Sequence, residues 1–109
     1  MSSAFQVKVA RRALRDMRES AAYIRQRSPL AATKWLRELL GSIQNLKQLP
    51  YRHPSLAIED EPTNSYRRFL HYSHQVIYRV DEGARIVYVV RVYHSARGPI
   101  SWQELETEN

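Results

Sequence analysis

Cysteine is absent from this chain of 109 residues. That excludes disulfides and thiolate metal sites, and it fits a reducing cytoplasm. No apolar run approaches the ~18 residues that a membrane-spanning helix needs, so no membrane partner is expected. The opening stretch, Met-Ser-Ser-Ala-Phe-Gln-Val-Lys-Val, lacks the apolar region of a signal peptide. Internal repeats and low-complexity tracts are missing. His53, His71 and His74 do not fall at the spacing of paired metal ligands, so neither a metal site nor a cofactor is expected. Acidic residues are outnumbered, 11 to 17, and the chain carries a net charge of +6 with a pI near 10.0. A cationic surface concentrates anions, which favours nucleic acid or an acidic protein as partner.

A chain of this length buries one core, so residues 1–109 are expected to form one domain. The densest structural signal lies between Tyr66 and Arg97. Tyr66–Ser73, Gln75–Val80 and Arg85–Tyr93 are rich in β-branched and aromatic residues, and Asp81-Glu82-Gly83 turns the second into the third. This predicts an antiparallel meander. Phe5–Val9 alternates and predicts a short first strand.

Between them, two helices are expected. Leu14, Met17, Ala21 and Ile24 step by three and four from about Ala10 to Arg27, opposite a face of Arg11, Arg12, Arg15, Arg18, Glu19 and Arg25. Ser28-Pro29 restarts the chain: the hydroxyl accepts from an orphan amide, and proline at the first helical position has no amide to leave unpaired. The second helix runs to about Gln48, with Ala32, Trp35, Leu36, Leu39, Leu40, Ile43, Leu46 and Leu49 as its stripe and Pro50 beyond it. Tyr51–Asn64 reads as a loop, and 99–109 as a tail, either frayed or a short docked turn. The fold class is therefore α+β in the order β-α-α-β-β-β: a helical hairpin on one face of a small, twisted, mostly antiparallel sheet. Leu14, Met17, Ile24, Leu36, Leu39 and Ile43 are expected to face that sheet.

This order, with Tyr66-Arg67-Arg68, the run Ser73-His74-Gln75-Val76-Ile77-Tyr78-Arg79-Val80 and the ending Arg91-Val92-Tyr93-His94, resembles the RelE/ParE superfamily of type II toxins. The resemblance spans about Phe5 to Arg97. It implies a cytoplasmic toxin held inactive by a cognate antitoxin, in a module of the kind that serves plasmid stabilisation. RelE-like members cleave mRNA on the ribosome; ParE-like members inhibit DNA gyrase.

Gln75 stands where RelE-like and YoeB-like nucleases carry an arginine, and Ser95 where YoeB-like enzymes carry a tyrosine. Tyr66-Arg67, Ser73-His74, Val76-Ile77-Tyr78-Arg79 and Arg91-Val92-Tyr93-His94 match the ParE-like pattern better. The expectation is thus a gyrase inhibitor, with Arg67, Arg68, Arg79, Arg91, His94 and Arg97 as residues touching target or antitoxin. The alternative is a ribosome-dependent mRNA endonuclease using His94, Arg97 and a loop carboxylate, Glu59 or Glu61. A third reading is a degenerate member that only binds antitoxin. Each residue also has a structural role open to it. His94 can end a strand by bonding a carbonyl, and Arg79 and Arg91 can pair with Glu59, Asp60 or Asp81.

Overall fold

The computed structural model describes residues 4–63 and 65–108, and of 107 and 108 the backbone alone. Residues 1–3, Asn64 at the end of the connecting loop and Asn109 at the end of the tail lie outside it. The elements are β1 (Gln6–Val9), α1 (Arg11–Arg27), α2 (Pro29–Asn45), β2 (Tyr66–His71), β3 (His74–Asp81), β4 (Ile86–His94), a short 3-10 turn (Ser95–Arg97) and α3 (Trp102–Glu108). The sheet order is β1-β4-β3-β2. β2, β3 and β4 form the antiparallel meander, and β1 lies parallel to β4.

Ser28 serves both helices. Its amide bonds the carbonyl of Ile24 at the end of α1, and its hydroxyl accepts from the amide of Ala31, 3.1 Å away, at the start of α2. The helices therefore fold back as a hairpin with one residue between them. Ala13, Met17, Ala21, Trp35, Leu39 and Ile43 pack on Val76, Tyr78, Val87, Val89 and Val92 of the sheet. Tyr78 ties this core together. Its hydroxyl donates to the carbonyl of Pro50 at 2.7 Å, and burial pushes its pKa up to about 12.

The expected helix faces need correction. Leu14 is 40% exposed, whereas Ala13 and Asp16 are buried. The stripe facing the sheet is Ala13, Met17, Ala21 and Ile24; small alanines there let α1 lie close, and Asp16 is drawn inward by a partner on β4. Leu40, 43% exposed, and Leu49 also face solvent.

The second sheet face is covered too. Ile58, Tyr66, Ile77, Val90 and Tyr93 pack with Ile100 and Leu105, so the tail is docked through α3. Partners in β3 and β4 shift from Ile77↔Arg91 to Tyr78↔Val89, which leaves Val90 as an extra residue on β4. This bulge resets the alternation. Val92 consequently joins the helix-facing core and Tyr93 the opposite one.

Candidate functional site: two depressions at the end of the fourth strand

Parallel pairing with β1 stops at Val9↔Val89. Beyond that point no strand lies beside this edge of β4 among the described residues, and the first turns of α1 take its place. Asp16, 4% exposed, fills the gap: its Oδ2 accepts from the amide of Val92 at 2.9 Å and from Nε of Arg91 at 2.7 Å. Nε of Arg12, one turn earlier, lies 3.1 Å from Oδ1. A carboxylate thus stands where a neighbouring strand's carbonyl would, neutralised by two guanidinium groups. Arg91 pairs with Asp16 on α1, not with Glu59, Asp60 or Asp81.

A groove of about 950 Å³ opens along this edge, bounded by α1, the start of α2, the β2–β3 turn and the end of β4. Trp35, Ile24 and Val92 give it an apolar floor; Arg12, Lys34, Arg91 and Arg97 line it as cations. Two atoms buried beside it, Trp35 Nε1 and His74 Nδ1, have no hydrogen-bond partner among the described residues. Strand pairing builds the cluster around them. His71 faces His74 across β2–β3, and His74 faces His94 across β3–β4. The Trp35 and His74 rings lie 4.9 Å apart and the His74 and His94 rings 5.2 Å apart. His71 Nε2–H donates to the Trp35 carbonyl at 2.9 Å. His94 ends its strand by accepting the amide of Ala96 at Nδ1, 3.0 Å away, rather than by bonding a carbonyl.

Burial, and then the neighbouring His94 and His71, lower the pKa of His74 below its ordinary 6.5. Burial lowers that of His53 as well. A depressed folded value means that the unfolded chain takes up the proton first as pH falls. Stability should therefore be whole above about pH 6.5 and decline below it. In urea unfolding between pH 5 and pH 7.5, His74→Phe should flatten this decline, with His53 supplying a remainder of the same sign. An unchanged slope would place the acid sensitivity away from His74.

The remaining expected residues fall elsewhere. Arg67 and Arg68 point to opposite faces. Arg67 donates to the His53 carbonyl at 2.6 Å and lies over the Tyr51 ring, holding the connecting loop. Arg68 is exposed and donates to Oε1 of Gln75 at 3.2 Å. Arg79 stacks on Tyr88, 4.4 Å from the ring centre. Arg97 reaches the carbonyls of Gly98 and Pro99 and the Glu104 carboxylate, so it clasps α3. Gly98 permits this turn through its φ of 91°, which favours glycine. Glu61 is buried and accepts from the amide of Thr63 at 2.7 Å, which makes it a loop brace.

A second depression, of about 300 Å³, lies between the connecting loop at Leu56–Ile58, the strands and the Gly98–Ile100 segment that precedes α3. Arg68, Gln75, Tyr93 and Ser95 line it together. The two positions where the sequence departs from the nuclease pattern thus share one small site. Among the described residues no cluster of three His, Asp or Glu is arranged to hold a metal ion. No helix among them is long and apolar enough to cross a membrane.

A small basic α+β domain, with a helical hairpin over a four-stranded sheet and a cationic groove at its edge, has the architecture of a type II toxin. The family described as the ParE toxin of the type II toxin–antitoxin system, parDE, matches residues 7–99, and the chain belongs to it. No curated protein gives a significant match.

Solved structures share the fold. The chromosomal ParDE system of P. aeruginosa aligns with a TM-score of 0.65 at 17% identity, covering 85% of this chain and 98% of that one. The RelBE2 toxin–antitoxin complex of Mycobacterium tuberculosis aligns with a TM-score of 0.61 at 19% identity, covering 84% and 98%. A mutant of the E. coli toxin RelE in the free state also gives 0.61, at 17% identity, covering 96% and 93%.

Proposed function

We propose that this toxin arrests growth by inhibiting DNA gyrase in the cytoplasm, and that a cognate antitoxin silences it by laying an acidic, amphipathic segment into the groove beside β4. The observation that carries the target assignment is the content of the smaller depression. RNA cleavage without a metal needs a base, an acid and cations for the charge on the phosphorane. At the position where the resemblance implies a phosphate-binding arginine, the neutral amide of Gln75 instead accepts a hydrogen bond from Arg68. Ser95 lines the same depression in place of a tyrosine. His94 and Arg97, the remaining catalytic candidates, line the larger groove, where Arg97 is engaged by Glu104. Losing one positioned donor at a developing charge costs about a hundredfold or more in rate.

The groove suits the antitoxin role because its apolar floor and cationic lining complement an acidic amphipathic segment. Since Asp16 already holds the Val92 amide, such a segment docks as a helix and not as a strand added to β4.

Purified toxin should block supercoiling of relaxed plasmid by gyrase while leaving ribosome-bound mRNA intact. Cleavage of mRNA that is lost in His94→Ala or Arg97→Ala would replace this reading with the endonuclease. Neither activity would leave a toxin fold that only binds its antitoxin.

A further inference from the structure

The solvent face of α1 carries a charge pattern that neither depression uses. α1 holds six arginines against two carboxylates, and one of those carboxylates, Asp16, is buried. Arg11, Arg15, Arg18 and Arg25 are all exposed. At 3.6 residues per turn their spacings of four, three and seven place them on one narrow stripe, opposite the buried face. The stripe runs over about 21 Å at 1.5 Å per residue. None of the four lines the groove, so an occupant there leaves the stripe open.

These charges are poorly placed for the helix itself. Cations oppose the positive end of a helix dipole, yet Arg11 and Arg12 open α1. The first turn has no acid, and Ala10 supplies no side-chain cap. Arginines spaced by three and four also repel each other along a helix. No ion pair relieves Arg11, Arg18 or Arg25 among the described residues.

We propose that this stripe docks on the phosphate backbone of duplex DNA. Arginine matches phosphate oxygens through its planar fork of donors, and 14 of the 17 basic residues here are arginine. A protein partner would need an aromatic or large aliphatic anchor at the centre of its contact, whereas this row has only Leu14, 40% exposed, at its edge and Ala22 between Arg18 and Arg25. Single-stranded nucleic acid would need rings for its bases to stack on, and the stripe has none. The row's length of ~21 Å matches about six successive phosphates of one strand at ~3.4 Å each. Binding through phosphates alone reads no sequence. The docking is independent of which enzyme the toxin inhibits.

The test is fluorescence anisotropy of the full-length toxin with a labelled 20-base-pair duplex of mixed sequence, titrated at several salt concentrations. Four phosphate contacts predict a slope of log affinity against log salt of about −3 to −4. Changing Arg11, Arg15, Arg18 and Arg25 together to glutamine should bring that slope close to zero and weaken binding at least tenfold at low salt. Circular dichroism should show the variant still folded, because all four side chains are exposed. Duplexes of unrelated sequence should bind alike. An unchanged slope in the variant, no binding at low salt, or tighter binding of single-stranded RNA or polyglutamate by the same stripe would each overturn the proposal.

Discussion

Asp16→Ala should lower the free energy of unfolding by about 3–5 kcal/mol, the range seen when one partner of a buried ion pair is removed. Three effects act together. The Arg91 guanidinium stays buried, 5% exposed, without its carboxylate. The Val92 amide loses its acceptor at an edge where no strand can replace it, and an unsatisfied buried donor costs about 1–3 kcal/mol. Arg12 loses its neighbour one turn away. Asp16→Leu combined with Arg91→Met separates these effects, because an apolar pair of suitable volume is often as stable as the ion pair it replaces. The double variant should recover most of the loss, short of the share owed to the Val92 amide. Urea unfolding measures both. A loss below about 1 kcal/mol for Asp16→Ala would mean that water screens this pair as it does a surface one.

Leu39→Ala should cost about 2–5 kcal/mol, set by how far the core collapses into the space left behind. Leu39 is fully buried among Trp35, Ile43 and the sheet valines. Its neighbour Leu40 supplies the control: the same truncation on the solvent side should stay within about 0.5 kcal/mol. Equal effects at the two positions would place the α2 face wrongly.

The architecture was readable because its signals are local. Ser28-Pro29, the Asp81-Glu82-Gly83 turn and the β-branched runs each act within a few residues, and each lies where the chain turns or pairs. The orientation of α1 was not readable. Leu14 fits a period of three and four as well as Ala13 does, and hydrophobicity alone favours the leucine. What decides is Arg91, 75 residues away, which draws Asp16 inward. A lone Asp in a helix otherwise dominated by arginine was the one available hint.

The site was legible in part. Gln75 and Ser95 stand out against the family pattern, but their meeting in one depression depends on the pairing of β3 with β4, where Gln75 faces Tyr93. The histidine cluster follows from the same register and from Trp35 reaching it across the hairpin. The cover on the second face was only half legible: the tail reads as frayed or docked alike, and the apolar side it docks on depends on the phase of β4, which changes at Val90 where no local rule places a bulge.

Ser28 leaves the hairpin no slack. Because one residue closes α1 and opens α2, the two helices cannot slide or swivel separately at their joined end. The inner wall of the groove and the outward row of arginines therefore behave as opposite sides of a single lever. A displacement of α1 at the groove would carry the arginine row with it, because both lie on one helix.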